Sequence, residues 1–178
     1  MNTYECNYIL DLEIKKKLLS QAQNQTKFRK YLTDNGTITE LDVASNWENS
    51  GIISTNEVNY IQSLINNKFK INAVVFLKFL PNAFIFPHVD DSLSRTSCIT
   101  WALSPEIENF SPVKYYNSYN ENDLNEIKYY SEKPLILNTR NIHSMKNNNF
   151  ERISVQLCLS NTIEELALAD LKNELFIK

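Results

Sequence analysis

The chain has 178 residues and a mass of 20.7 kDa, with 43% hydrophobic, 11% aromatic and 22% charged residues. It is too apolar for a disordered chain and long enough for one domain with a substantial core. A net charge of −3 argues against a surface that wraps nucleic acid, and with only two glycines and three scattered cysteines there is no glycine-rich phosphate loop and no cysteine zinc site.

Met1 to Leu10 has no basic region followed by an apolar run, so no targeting segment is expected there. Asp11 is positioned to cap a helix whose apolar residues are Leu12, Leu18, Leu19 and Ala22, with Lys15-Lys16-Lys17 as its solvated face. Gln23 to Asn49 is polar, with a turn signal at Asn35-Gly36. Ser54 or Thr55 can cap a second helix, with Glu57 in its first turn and Val58, Ile61, Leu64 and Ile65 on one face.

From Ile71 the period changes. Ala73–Leu80, Phe84–Pro87, Ser97–Leu103, Val113–Tyr116, Ile127–Tyr130, Leu135–Leu137, a short run around Ile142 and His143, and Ile153–Leu159 read as strands separated by Pro, Asn, Asp and Ser. About eight strands at steady spacing predict a sandwich or barrel. Thr162 and Glu165 then form a T-x-x-E capping box ahead of Leu166, Leu168, Leu171 and Leu175. The fold expected is mainly β with flanking helices. It is one domain over 1–178, with a mainly helical support at 1–70, a β core at 71–160 and a C-terminal helix at 161–178. Ala73–Leu80 contains Lys78 and is too short to cross a bilayer, and three sparse cysteines suit a reducing compartment, so a cytoplasmic protein without a membrane partner is expected. With Gly36 and Gly51 the only glycines, backbone positions of positive φ must fall largely to Asn and Asp.

Both histidines lie in the strand-rich part. In His88-Val89-Asp90, residues i and i+2 share a strand face, so the imidazole and carboxylate can reach one point if the strand continues through them. His143 is the second imidazole. Two imidazoles and one carboxylate form the facial triad that binds Fe(II) and leaves sites open, although H-x-D alone is a weak signal whose plain reading is a polar strand end. Nine residues after His143, Arg152 opens a strand with Ile153, Val155, Leu157 and Leu159 on one face and Arg152, Ser154, Gln156 and Cys158 on the other. A charge at the inner mouth of a sheet is expensive unless it meets an anion; the alternative is a solvated face with Arg152 on the surface.

Phe86-Pro-His-Val-Asp90, Leu137-Asn-Thr-Arg-Asn-Ile-His143-Ser-Met-Lys-Asn147 and Arg152-Ile-Ser-Val-Gln156 together resemble the Fe(II)- and 2-oxoglutarate-dependent oxygenases, over about Ile71 to Ser160. The style is that of the small prolyl-hydroxylase-like and aspartyl/asparaginyl-hydroxylase-like members, some of them phage-encoded. The resemblance implies a double-stranded β-helix, a jelly-roll or cupin-like core of eight strands, with H-x-D near the second strand, the distal His on the seventh and the basic residue on the eighth. It implies His88, Asp90 and His143 as catalytic metal ligands. Fe(II), 2-oxoglutarate as co-substrate and O2 would be the cofactors, with ascorbate as a reductant. Arg152 would hold the distal carboxylate of 2-oxoglutarate with help from Ser154, and succinate and CO2 would be released. The presence of Asp90 favours hydroxylation over halogenation, because related halogenases carry a small residue there.

Arg95 and Arg140 stand out because only four arginines accompany fourteen lysines. Arg95 could meet a substrate carboxylate, the co-substrate or a surface partner, and Arg140 suits a turn. Of Tyr115 and Tyr116 one should face inward, where a hydroxyl could assist the co-substrate carboxylate; core packing is the plainer role. Trp101 and Phe110 read as core or pocket wall, and Trp47 with its polar surroundings as part of the pocket's shape. The partner expected is a small-molecule or peptide substrate. Competing readings are a cupin-like module that binds without catalysis, an oxidase that uses the triad without 2-oxoglutarate, and a zinc hydrolase.

Overall fold

Asp11 ends the extended N-terminal segment and starts α1 (Leu12–Gln23), its Oδ1 accepting the amides of Glu13 at 2.9 Å and Ile14 at 3.2 Å. The computed structural model describes residues 3–24, 29–30, 47–49, 55–90, 95–104, 113–116, 124–127, 133–147 and 149–177. α1 buries Lys15, Leu18 and Ala22, which corrects the expectation of a solvated lysine face. Lys15 shares the i, i+3, i+7 stripe with the two apolar residues, so its stem packs inward while Lys17 Nζ lies 3.5 Å above the Tyr60 ring. In α2 (Thr55–Gln62) Thr55 is already helical; Ser54, the other cap expected, lies outside the described residues.

α3 (Ile163–Leu171) opens with the expected box. Thr162 Oγ1 accepts the Glu165 amide, and Glu165 Oε2 accepts the Thr162 amide. Its inward stripe differs from expectation. Ile163, Leu166, Ala167 and Asp170 are buried, whereas Leu168 and Leu171 are 53% and 62% exposed, and Leu175 is buried beyond the helix end. Asp170 takes an inward position because its carboxylate accepts Tyr4 Oη–H at 3.1 Å and the Asn7 amide at 2.8 Å, which fastens the N-terminal segment to the helix.

Eleven strands occur among the described residues: β1 (Thr3–Glu5), β2 (Arg29–Lys30), β3 (Trp47–Asn49), β4 (Ile71–Phe79), β5 (Phe84–His88), β6 (Ser97–Ser104), β7 (Val113–Tyr116), β8 (Leu124–Ile127), β9 (Leu135–Asn138), β10 (His143–Lys146) and β11 (Arg152–Leu159). They form two antiparallel sheets, a larger one in the order β1-β9-β6-β11-β4-β3-β2 and a smaller one in the order β5-β10-β7-β8. From β4 onward the chain passes repeatedly between the two sheets. The first 70 residues, expected to be mainly helical, also supply β1 to β3, which extend the large sheet along β9 and β4. The strand expected at Ile127–Tyr130 lies earlier, because Val113 pairs with Ile127 and Tyr116 with Leu124; residues 128–130 are outside the described residues.

β11 runs between β4 and β6 and is buried along all eight residues. Ile153, Val155, Leu157 and Leu159 face a core shared with Leu18 of α1, Ile61 of α2, and Ile163 and Leu166 of α3. Each such side chain contributes about 1.5–3 kcal/mol on full burial. Trp101 stands in that core, edge-on to Phe176 at 5.8 Å, so it is core and not pocket wall. Phe110 lies outside the described residues. The other face of β11, with Arg152, Ser154, Gln156 and Cys158, is opposite Cys98, Thr100 and Ala102 of β6. A second core forms on this side from Cys98, Ala102, Leu135 and Leu137, with Met145 of β10 against it.

The expected use of Asn at left-handed positions holds: Asn82 has φ 60° and Asn173 φ 55°. Cys6, Cys98 and Cys158 are free and buried, and burial raises all three thiol pKa values. No helix among the described residues is long and apolar enough to cross a membrane.

Candidate metal centre

His88 ends β5 and His143 begins β10, and the two are direct partners in the antiparallel ladder. Opposite residues on paired strands have neighbouring side chains, and here the ring centroids are 4.3 Å apart with planes inclined by 50°. The ladder slips between His143 and Met145, opposite the stretch of β5 that contains Pro87, which has no amide hydrogen to give. The strand stops at His88, short of the continuation through Asp90 that the H-x-D spacing invites. Asp90 is held instead by its own amide, which donates to the Thr139 carbonyl at 2.9 Å just beyond β9. Its Oδ1 lies 3.7 Å from His88 Nε2. One ligand atom from each of His88, Asp90 and His143 falls within 4.8 Å of the others.

His143 Nδ1 is 2.9 Å from the Asn141 carbonyl. A carbonyl only accepts, so Nδ1 carries the hydrogen and Nε2 keeps its lone pair. Burial, and then the neighbouring His88, push the His143 pKa down to about 4. The ring is therefore neutral at physiological pH, as a metal ligand must be.

Arg152 is fully buried, with its guanidinium carbon 4.8 Å from the centroid of Phe79, its partner across β11 and β4. Its Nη2 donates to Met145 Sδ. Met145 is two residues beyond His143 on β10, so the two share a strand face about 6.8 Å apart along the backbone. Ser154 follows on the same face of β11 and is 3% exposed. The solvated-face alternative for Arg152 is thus excluded by burial.

Tyr115 pairs with His143 in the ladder on the other flank of β10. Arg140 is exposed in the turn after β9, where its amide donates to Asn138 Oδ1 at 3.1 Å. Arg95, read from the sequence as a candidate substrate contact, lies against Asp90, with Nε 3.2 Å from Oδ2, and its Nη2 donates to Gln156 Oε1. Thr139, Asn141, Met145 and Gln156 were not singled out by the sequence. Gln156 shares the strand parity of Arg152 and Ser154, which is the signal that could have found it. Asn141 acts through its backbone carbonyl, and Thr139 through its carbonyl and its hydroxyl, in a turn that leaves no pattern to read.

No family model matches the chain, and no curated protein matches it by sequence. Solved structures do match. A prolyl hydroxylase from Trichoplax adhaerens, in complex with a hypoxia inducible factor oxygen degradation domain peptide fragment, superposes with a TM-score of 0.67 at 14% identity, over 94% of this chain and 86% of that one. A Pseudomonas putida prolyl-4-hydroxylase gives a TM-score of 0.60 at 8% identity, over 89% and 91%. The viral collagen prolyl hydroxylase of Paramecium Bursaria Chlorella virus-1, in its 2OG complex, gives 0.52 at 13% identity, over 89% and 95%. The chain thus shares its fold with these prolyl hydroxylases.

Proposed function

We propose that the chain is an Fe(II)- and 2-oxoglutarate-dependent dioxygenase, built on a double-stranded β-helix, that hydroxylates a C–H bond of a peptide, an amino acid or another small molecule. Counted from β4, eight strands are divided four and four between the two sheets. His88 ends the second, His143 opens the seventh and Arg152 opens the eighth, the order that the sequence resemblance implies. The observation that carries the reading is the meeting of His88, Asp90 and His143 within 4.8 Å, with the buried Arg152 donating to Met145, two residues on from His143.

The donor set fits ferrous iron, since two imidazoles and a carboxylate gathered on one side leave the other side open for ligands. Among the described residues no thiol belongs to the cluster. When bound there with 2-oxoglutarate and dioxygen, Fe(II) supplies the oxidising chemistry that yields succinate, CO2 and a hydroxylated product. His88, Asp90 and His143 would hold the metal, with His143 presenting Nε2 because Asn141 fixes its tautomer. Arg152 would pair with the distal carboxylate of 2-oxoglutarate, Ser154 would add a hydroxyl donor, and Tyr115, the ladder partner of His143, would be the tyrosine to assist. Burial strengthens such a pair, because competing water is excluded. The peptide and collagen named for two of the similar structures favour a peptide substrate.

The test needs no knowledge of that substrate. Purified protein with Fe(II), ascorbate, 2-oxoglutarate and air is expected to form succinate slowly, and the His143→Ala variant to form none. Equal succinate from both would overturn the proposal.

A further inference from the structure

We propose that Arg95 is a positioning residue: it takes one oxygen of Asp90 so that the other is aimed at the two imidazoles. The inference rests on the metal-centre reading and adds a part to it. A carboxylate beyond a strand end rotates broadly about its last torsion and could offer either oxygen, or both. Here the two oxygens are divided. Oδ1 is 3.7 Å from His88 Nε2, while Oδ2 is 3.2 Å from Arg95 Nε.

Arg95 is itself held at both ends. Its carbonyl accepts Thr139 Oγ1–H at 2.9 Å, and the carbonyl of the same Thr139 accepts the Asp90 amide at 2.9 Å. One fully buried residue therefore fixes the backbone on both sides of the pair. At the far end, the guanidinium donates to Gln156 Oε1, and Gln156 Nε2 donates to Cys98 Sγ at 3.0 Å. A guanidinium has only donors, so the amide oxygen must face it, and the nitrogen is left for the sulfur. The outcome is a continuous line from the centre of the large sheet to the metal centre: Cys98, Gln156, Arg95, Asp90.

Removing Arg95 has two opposed consequences. A cation near a dication repels it, so loss of the charge favours metal binding; loss of the guide leaves the carboxylate disordered and opposes it. Partners that orient metal ligands typically matter by about 10–100-fold in affinity, and we expect that effect to prevail.

The experiment is anaerobic titration of Co(II) into the metal-free full-length chain, with a thermal melt of each metal-free protein. Arg95→Gln should bind Co(II) about 10–100-fold more weakly than wild type, and Arg95→Lys should recover part of the loss. Gln156→Leu should give a smaller loss in the same direction. In an Asp90→Ala background Arg95→Gln should cause no further loss, only the small gain from the removed cation, because the guiding effect passes through Asp90. Wild-type or tighter Co(II) affinity in Arg95→Gln, or a full additional loss in the Asp90→Ala background, would overturn the inference. If instead His88→Ala binds Co(II) as wild type does, it is the metal-centre reading that fails, so the two failures are distinguishable.

Discussion

Replacing Arg152 separates use of a dicarboxylate co-substrate from metal binding alone. The side chain is 0% exposed and sits over Phe79, so a carboxylate that reaches it is shielded from water. A hydrogen bond to a charged group contributes about 1.5–3 kcal/mol, and a paired guanidinium and carboxylate in a dry site falls near the upper value. At 1.4 kcal/mol per tenfold, loss of the guanidinium should weaken 2-oxoglutarate binding by about 10- to 100-fold. Met is the preferred replacement, because its flexible thioether fills much of the volume and leaves no large cavity. The Phe79 contact is lost with the charge, at about 2 kcal/mol when desolvated, so binding must be measured well below the midpoint of the variant's melt. The assay is anaerobic titration of 2-oxoglutarate into the Fe(II)-loaded protein, with Co(II) affinity as control. Arg152→Met should keep its metal affinity, lose co-substrate affinity and lose the thermal shift that 2-oxoglutarate gives the wild type. Arg152→Lys should fall between, since it keeps the charge without the planar fork. If Arg152→Met binds 2-oxoglutarate as tightly as wild type, Arg152 is not the anchor.

Three further outcomes test the fold around the site. Burial raises the pKa of Cys6, Cys98 and Cys158, so at pH 8 all three stay protonated in the native state, and a thiol-reactive dye should label none until denaturant is added; fast labelling of the native protein would contradict this. Asn82→Ala should destabilise by about 1–2 kcal/mol in urea unfolding, because φ of 60° penalises a Cβ without the local bonds that Asn can make, whereas Asn82→Gly should be neutral or stabilising. Thr162→Ala removes the hydroxyl half of the capping box of α3, leaving the Glu165 carboxylate on the backbone amide of residue 162, and should lower stability by about 1 kcal/mol in the same measurement.

Apart from β8, expected three residues too late, the strands from Ile71 onward were legible because alternation of apolar side chains is a local property, and the candidate ligands because H-x-D and a lone distal histidine are conspicuous in a chain with two histidines. β1, β2 and β3 were not legible: each has two or three residues, too few to establish a period, and each is a strand only because a neighbour offers its edge. Lys15 misleads for a related reason, since a charged residue on an apolar stripe is settled by what packs over its stem. Leu168 and Leu171 mislead in the opposite direction, because Asp170 takes an inward place that only its bonds to Tyr4 and Asn7 make tolerable. Arg95 could be singled out as unusual, but its direction depends on Gln156, 61 residues later, and no local pattern encodes that meeting.

The burial of β11 on both faces has a dynamic consequence. Strands bonded on both edges and covered on both sides exchange their amide hydrogens only when most of the domain opens. Arg152, Ser154 and Gln156 ride on such a strand, so these three side chains have no low-energy way to loosen. His88 is different: its side chain is 40% exposed, at the end of a five-residue strand on the edge of the four-stranded sheet. Any breathing that admits a bulky guest must therefore swing the small sheet over a stationary floor, and deuterium uptake should be early in β5 and last of all in β11.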